Sequence, residues 1–282
     1  MRLTVVGGVS GLEVASEIYP GYLVTSGETS LLMDCGPGVA MQLSRYTPLD
    51  HLAGIVISHM DLSHYFDLLP LALIYSNQHR DILLRANDRL IPPMHFRPLP
   101  IYVPAPGAEW LTRAITFLAV DAPSPQPAMA ERMRTAFDLH EYEPDTPFAI
   151  GPFTVQAIGP VAHEPGRCFG FRVSDGIATV GYTGDTGMCD ALYAIARDTD
   201  LFLCDATDIS SQIRTDNRHL SAEEAGQVAA GAEAKQLVLA HVLSNARAWT
   251  NTLIKMARRY YTGPIHIARQ NKIFDLPAHT FP

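Results

Sequence analysis

The chain alternates short apolar runs with turn residues in two separate halves, and this alternation limits its fold more than any other feature. In the first half the predicted strands are RLTVVGG, GYLVTSG, TSLLMDCG and GIVISH. In the second half they are FTVQAIGP, CFGFRVSDG, IATVGYTGD, DLFLCDA, QLVLAHV and PIHIARQ. A sheet must bury its apolar face against another layer. The sequence therefore predicts an α+β fold with two sheets face to face and helices outside, an αββα sandwich.

Helical patterns follow the strands in both halves. The apolar residues at helical spacing after Ser63 are Phe66, Leu69, Leu73 and Ile74. They predict a helix that begins near Ser63, with Pro70 disturbing its early part. Two further helices are predicted over SAEEAGQVAAGAEA and TNTLIKMARRYY. Ser221 followed by Glu224 indicates a capping box at the first of these.

Length and composition favour one domain over residues 1–282. The chain has 282 residues, of which 47% are hydrophobic and 18% charged, so it can bury a large core. Residues 86 to about 148 are rich in proline, with one helical pattern, AEWLTRAITFLAV. Such a segment is too long for a plain connection, so we expect it to carry its own elements and a lid over the site. The alternative is a solvated surface excursion.

The charge balance and the apolar pattern exclude some classes of partner. Lys and Arg number 21 against 29 Asp and Glu, and a net charge of -8 gives no basic surface for a phosphate backbone. We therefore expect no nucleic-acid partner. The sequence shows neither a signal peptide nor an apolar stretch of membrane-spanning length, which predicts a cytoplasmic protein with no membrane partner. The four cysteines form no CxxC pair, which favours buried, reduced thiols.

Polar side chains that can bind metals follow several predicted strands. They are His59 after GIVIS, His163 after AIGPVA, Asp185 after VGYTG and His241 within LVLAHV. Histidine and carboxylate are the ligands of divalent metals, and strand ends meeting at one sheet edge can bring distant residues together. Taken alone, each of these residue types is more often a hydrogen-bonded residue of the core or of a turn than a metal ligand. The joint pattern predicts a metal site.

The stretch SHMDLSHYFDLLP, together with the polar strand ends, resembles the metallo-β-lactamase-fold superfamily. In that family the loop between strand and helix carries H-x-H-x-D-H, and this stretch aligns with it. The further matches, in family order, are His163 ahead of GFRV, Asp185 in YTGDTG, His219 in RHLSAEEAG and His241 in LVLAHV. The resemblance covers nearly the whole chain and is strongest to the branch of tRNase Z and small phosphodiesterases.

The resemblance implies two metal ions and a role for each matched position. One ion would be held by His59, Asp61 and His163, and the other by the residue at Ser63, His64 and His241, with Asp185 bridging them. A water or hydroxide between the ions would be the nucleophile, its pKa lowered towards neutrality by the bound cations. His219 would lie near the leaving group as an acid. Alternatively, it would support a metal ligand through a hydrogen bond, or cap a helix. Asp34 in DCGPG would support the ligand loops, or form a simple Asx-turn.

The chain departs from the family motif at two positions. Asp61 stands where the family has its second histidine, and a carboxylate shifts preference from zinc towards iron or manganese. Ser63 stands where the family has an aspartate, and a neutral hydroxyl is a poor ligand that cannot accept a proton from the nucleophilic water. Three outcomes are open: a dinuclear site with altered metal choice, a mononuclear site, or a metal-free pocket that reuses the fold.

The favoured hypothesis is a hydrolase that acts on a small-molecule ester, thioester, lactone or phosphodiester through metal-bound water. Its predicted catalytic residues are Asp61, Asp185 and His219. Its predicted cofactor is one or two divalent ions, which would be zinc, iron or manganese. The alternatives are a degenerate enzyme catalysing a cyclisation or elimination, or merely binding a ligand, and an iron-dependent oxidoreductase. Relatives in this branch are often homodimers, so a homodimer is expected.

Overall fold

A computed structural model describes residues 1–8, 18–85, 97–118, 135–163, 167–208, 217–243 and 247–276. Within these ranges the first sheet consists of β1 (Arg2–Gly7), β2 (Gly21–Ser26), β3 (Thr29–Met33), β4 (Leu52–Val56), β5 (Leu99–Pro104), β6 (Phe137–Tyr142) and β14 (Ile273–Asp275). Its strand order is β14-β1-β2-β3-β4-β5-β6. The pairs from β14 to β3 are antiparallel, and those from β3 to β6 are parallel.

The second sheet repeats this plan. It consists of β7 (Phe148–Ile150), β8 (Phe153–Ile158), β9 (Gly170–Ser174), β10 (Thr179–Tyr182), β11 (Leu201–Asp205), β12 (Leu237–Ala240) and β13 (Ile265–Ile267), in the order β13-β12-β11-β10-β9-β8-β7. The pairs from β7 to β10 are antiparallel and those from β10 to β13 are parallel. Every residue of β11 and β12 is buried, as expected for parallel strands covered on both faces.

Helices cover the outer face of each sheet. They are α1 (Val39–Leu43), α2 (Leu62–Tyr65), α3 (Leu68–Arg85), α4 (Gly107–Leu118), α5 (Ala191–Ala196), α6 (Ala222–Gly231) and α7 (Arg247–Ala257), with a 3₁₀ turn at Leu49–His51. Apolar side chains of α1, α3 and α4 pack on the first sheet, and those of α5, α6 and α7 on the second. A third apolar cluster, with Tyr22, Phe153 and Phe171 fully buried, fills the space between the sheets. The predicted αββα sandwich is confirmed.

The proline-rich segment contributes strands to the first sheet. Strands β5 and β6 lie within it, and α4 covers most of the predicted helix AEWLTRAITFLAV. Its described parts therefore carry elements of their own and are not a surface excursion. Residues 86–96 and 119–134 lie outside the described residues, so the lid stays a prediction.

The helix predicted from Ser63 is interrupted in its early part, as Pro70 predicts, and forms two helices, α2 and α3. Asp67 lies between α2 and α3, and its carboxylate accepts a hydrogen bond from Ala40 N at 2.9 Å. The buried positions in the first part of α3 differ from the expected ones. They are Leu68, Leu71, Ala72 and Tyr75. Phe66, which was expected on the apolar face, is 42% exposed.

Two smaller predictions, the capping box and the free cysteines, are confirmed. Ser221 Oγ accepts a hydrogen bond from Glu224 N, while Glu224 Oε2 accepts one from Ser221 N at 2.9 Å, which completes the capping box of α6. All four cysteines lie in described ranges and are free thiols, and three of them are buried. Among the helices of the described ranges, none combines the length and the apolar character that crossing a membrane requires.

Asp175 joins the turn between β9 and β10 to the first sheet. Its Oδ1 accepts hydrogen bonds from Ile177 N at 3.0 Å and Ala178 N at 2.9 Å, and its Oδ2 accepts one from Ser26 Oγ at 2.8 Å. The amino group of Met1 lies 3.8 Å from Oδ2. Burial alone raises the pKa of Asp175, but these hydrogen bonds outweigh it and leave the pKa below its usual value.

We predict that Asp175→Asn lowers the free energy of unfolding by about 1 kcal/mol at neutral pH, because the charge that strengthens these hydrogen bonds is lost. A lowered pKa in the folded state adds stability above the unfolded pKa of about 3.9, and this stability is lost as the pH falls through the lower folded value. Urea unfolding at pH 7 and at stepwise lower pH measures the difference. Asp190→Asn, an exposed aspartate without a side-chain capping bond, is the control. A difference that is independent of pH would contradict the prediction.

Candidate metal centre

The loops that follow four strands meet at one edge of the two sheets. His59 follows β4, His163 follows β8, Asp185 follows β10, and His241 follows β12. Strand β4 belongs to the first sheet and the other three to the second. The centre therefore lies where the edges of both sheets come together, which brings distant residues close.

The first group of candidate ligands is His59, Asp61 and His163. Each offers a ligand atom, and these atoms lie within 4.8 Å of one another. The Oδ2 atom of Asp61 is 3.6 Å from His59 Nε2 and 3.7 Å from His163 Nε2. The carboxylate of Asp61 is therefore close enough to both imidazoles to share an ion with them.

Asp185 forms the middle of the candidate centre. Its Oδ2 is 3.3 Å from His64 Nε2 and also 3.3 Å from His241 Nε2. His59 and His64 form a second group with Asp185, and His219 and His241 form a third, both within the same 4.8 Å limit. The structure thus brings together all six predicted metal ligands and His219; their roles as ligands stay predictions.

Two buried nitrogen atoms in the centre favour a cation. Within the described part of the chain, neither His59 Nε2 nor His64 Nε2 has a hydrogen-bond partner, and both residues are buried. An unsatisfied buried polar atom costs about 1–3 kcal/mol. A divalent cation would satisfy both nitrogens, so the residues present fit the metal that the family resemblance implies.

Asp34 orients the histidines of the first loop. Its Oδ1 accepts a hydrogen bond from Ser58 N at 2.8 Å, and its Oδ2 accepts from Ser58 Oγ at 2.9 Å, His64 Nδ1 at 2.7 Å and Tyr182 Oη at 2.6 Å. His59 Nδ1 in turn lies 3.0 Å from Ser58 Oγ and donates to it. Because an ionised carboxylate only accepts, His64 carries its proton on Nδ1 and directs Nε2 to the centre.

Asp205, the last residue of β11, does the same for the histidines of the second sheet. Its Oδ2 accepts hydrogen bonds from His219 Nδ1 at 2.8 Å and Thr186 N at 3.0 Å. Its Oδ1 accepts from Thr207 Oγ1 at 2.6 Å, and that hydroxyl accepts from His241 Nδ1 at 2.7 Å. Both imidazoles therefore point Nε2 away from Asp205.

Two residues of the centre have unusual backbone conformations. Asp34 has φ of 59° and His241 has φ of 54°, in the left-handed region that disfavours residues other than glycine. Such a conformation costs about 1–3 kcal/mol and persists only where the surroundings impose it. Here Asp34 N donates to Val56 O at 2.9 Å, and His241 N donates to Gly8 O at 3.0 Å. Backbone strain therefore occurs at Asp34, which orients candidate ligands, and at His241, which is itself a candidate ligand.

Two carboxylates of the centre are ionised at neutral pH. The neighbouring imidazoles of His163 and His59 hold the pKa of Asp61 far below its usual value. Burial raises the pKa of Asp185, but the neighbouring His241 and His64 outweigh it and keep this pKa well below its usual value. Both carboxylates are therefore ionised, which suits a cation.

The pKa values of His59, His64 and His241 shift in different directions. Burial lowers the pKa values of His59 and His241, so their imidazoles are neutral and able to coordinate. Burial also disfavours the charged form of His64, but Asp185 and Asp34 overcome it and raise its pKa to about 10. A cation bound at His64 therefore takes the place of a proton.

The sequence interpretation missed three residues that orient the ligands. Tyr182 donates its hydroxyl hydrogen to Asp34, a contact that no sequence pattern indicated. Asp205 and Thr207 were not singled out, although Asp205 ends a strand just as the predicted ligands follow theirs. The same strand-end pattern could have found Asp205. Thr207 gave no signal in the sequence.

Comparison with known proteins agrees with this architecture. The family model described as "Beta-lactamase superfamily domain" matches residues 29–242. The probable metallo-hydrolase YhfI of Bacillus subtilis (strain 168) is 30% identical over 275 residues, which cover 98% of this chain and 100% of YhfI. Ribonuclease Z of Myxococcus xanthus (strain DK1622) is 24% identical over 317 residues, covering 98% of both chains.

Solved structures show the same fold. The crystal structure of the metallo-β-lactamase fold protein YhfI from Bacillus subtilis superposes with a TM-score of 0.77 at 27% identity, covering 97% of this chain and 98% of that one. The short form of human tRNase Z gives a TM-score of 0.69 at 19% identity over 98% of this chain and 100% of that one. This chain belongs to the metallo-β-lactamase superfamily of metallo-hydrolases, in its tRNase Z-like branch. The predicted family and fold are confirmed.

We predict that Asp34→Asn weakens binding of a divalent cation about 10- to 100-fold, because an amide cannot accept all the hydrogen bonds that orient His64 and Ser58. Competition against a chromophoric chelator measures the affinity. Asp67→Asn is the matched control, since Asp67 is a nearby buried carboxylate that accepts from Ala40 N. Equal affinities in the Asp34 variant and the wild type would show that this carboxylate does not support the centre.

Proposed function

We propose that the protein is a metal-dependent hydrolase of a small-molecule ester, thioester, lactone or phosphodiester. The observation that carries this proposal is the pair of buried, unsatisfied Nε2 atoms of His59 and His64 facing the ionised Asp61 and Asp185. The relationship to YhfI, named a probable metallo-hydrolase, supports the same class of reaction.

The residues of the centre divide into two ligand sets around Asp185. His59, Asp61 and His163 would hold one cation, and His64 and His241 would hold the other, with Asp185 shared between them. A divalent cation supplies Lewis acidity there, which lowers the pKa of water and polarises a scissile carbonyl or phosphoryl oxygen. The protein fixes the direction of each imidazole through hydrogen bonds at Nδ1, so the ligands are organised in advance.

His219 is the third predicted catalytic residue. Burial disfavours its charged form, but the hydrogen bond to Asp205 and the charge of Asp205 overcome this and raise its pKa to about 9. It can therefore hold a proton for a leaving group, or give that proton up and bind a cation. A helix-capping role is not supported, because Ser221 and Glu224 cap α6.

RNA processing is the second candidate, favoured by the similarity to Ribonuclease Z of Myxococcus xanthus. The net charge of -8 opposes it, since a polyanionic substrate needs a basic surface. We propose that the substrate is a small molecule and that nucleic acid is not a partner. We also propose that the chain forms a single domain and that the proline-rich segment forms a lid. The protein would be a cytoplasmic homodimer.

We predict that chelator treatment abolishes hydrolysis and that added zinc, manganese or iron restores it. The substrate panel comprises bis(4-nitrophenyl) phosphate, an aryl ester, an acyl thioester, a lactone and a precursor tRNA. Asp185→Asn should lower turnover about 10²- to 10³-fold, because the shared ligand supports the cation that stabilises the transition state. His266→Gln on β13 is the control histidine, outside all three ligand groups of the described residues. Turnover that survives complete metal removal would refute the hydrolase proposal.

We also predict that Asp61 sets the preference for the metal. Protein purified from cells supplied with iron, manganese and zinc should carry iron or manganese, because a carboxylate ligand is harder than imidazole. Asp61→His should shift the bound metal towards zinc. Elemental analysis of the two proteins, prepared in parallel, measures the ratio. The same metal composition in both proteins would show that Asp61 does not set the metal preference.

A further inference from the structure

His219 lies in the loop before α6 and reaches the centre beside Asp185 and His241. These three residues offer ligand atoms within 4.8 Å of one another. The His219 ring stacks on that of His241, with centroids 5.4 Å apart and planes at 17°. Its centroid is 5.2 Å from that of His163. His219 is therefore part of the centre's inner surface and is near enough to share an ion with two other candidate ligands.

Asp205 holds His219 as Asp34 holds His64. Asp205 is buried, and its Oδ2 accepts from His219 Nδ1 at 2.8 Å. With Nδ1 engaged in this way, Nε2 is the atom that would coordinate a cation. A histidine that donates its other nitrogen to a carboxylate is the common arrangement of metal-binding histidines. The same Asp205 supports His241 through Thr207, so both imidazoles share one rigid anchor.

Ser63 leaves the second ligand set one carboxylate short of the family motif. Ser63 lies in α2, directly before His64, and is half-buried. Its neutral hydroxyl is a poor ligand for a divalent cation compared with carboxylate or imidazole. The second cation would otherwise rest on His64, Asp185 and His241.

We propose that His219 binds the second cation together with Asp185 and His241, and so replaces the carboxylate that is absent at Ser63. This rests on the proposed function only in requiring that the centre holds cations. His64 groups with His59 and Asp185 and not with His219 and His241. Its Nε2 lies 3.3 Å from the shared Asp185 Oδ2, so it would be the fourth ligand that completes a tetrahedral set. The proton for a leaving group then comes from another donor or from solvent.

Metal stoichiometry of matched variants tests the proposal without reference to activity. The full chain is stripped with chelator, reconstituted with zinc and desalted, and cations per chain are counted by elemental analysis. Wild type should bind two cations. His219→Gln should keep one and bind the second at least about tenfold more weakly. The double variant His219→Gln with Ser63→Asp should recover the second cation, and His266→Gln should match wild type.

Cobalt gives a second readout, because tetrahedral Co²⁺ absorbs visible light more strongly than Co²⁺ of higher coordination number. The second equivalent of Co²⁺ should develop strong absorption in wild type and weak absorption in His219→Gln. Two cations bound with unchanged affinity and an unchanged cobalt spectrum in His219→Gln would overturn the proposal. So would a loss that Ser63→Asp fails to reverse.

Wild-type stoichiometry separates this proposal from the proposed function. No bound cation would overturn both, whereas one cation per chain would overturn only the role of His219. Should His219→Gln fail to fold, Ser63→Asp alone decides the question. If His219 already fills the ligand position, that variant leaves the second affinity within about threefold of wild type. If the position is open, the added carboxylate raises the affinity about tenfold or more.

Discussion

The candidate centre depends on two buried carboxylates that only accept hydrogen bonds. Asp34 fixes His64 directly and His59 through Ser58, while Asp205 fixes His219 directly and His241 through Thr207. Each contact engages Nδ1 and leaves Nε2 directed to a shared space. Without these anchors the imidazoles could turn to bond with one another or with solvent, and the arrangement around Asp185 would be lost.

The two-sheet architecture explains why such distant residues can be held so firmly. Asp34 comes from the first sheet and Asp205 from the second, and the edges of both sheets meet at the centre. Tyr182, at the end of a strand in the second sheet, donates to Asp34 and so links the two sheets directly beneath the ligands. The apolar cluster between the sheets fixes their separation. Packing energy distributed over the whole core thus supports the strained backbone at Asp34 and His241.

Much of this could be predicted from the sequence, and the exceptions have physical causes. The alternating apolar runs predicted the layers, and polar strand ends predicted His59, His163, Asp185 and His241 as neighbours. Strand β5 was not predicted because Pro100 and Pro104 interrupt a pattern that otherwise reads as a strand. Pro70 indicated the interruption near Asp67, but the contact of Asp67 with Ala40 depends on tertiary structure. The proximity of His219 to Asp185 and His241 is equally a product of tertiary structure, since sequence spacing does not encode it.

The central claim is that the unsatisfied Nε2 atoms of His59 and His64 face bound cations. Anomalous diffraction from crystals of the zinc- or manganese-loaded protein tests it most directly, because the signal locates the metal without assumptions about activity. The account predicts anomalous density about 2.0–2.2 Å from His59 Nε2 and His64 Nε2, with Asp185 between the two positions. Density elsewhere on the molecule, or none between these histidines at full loading, would contradict it.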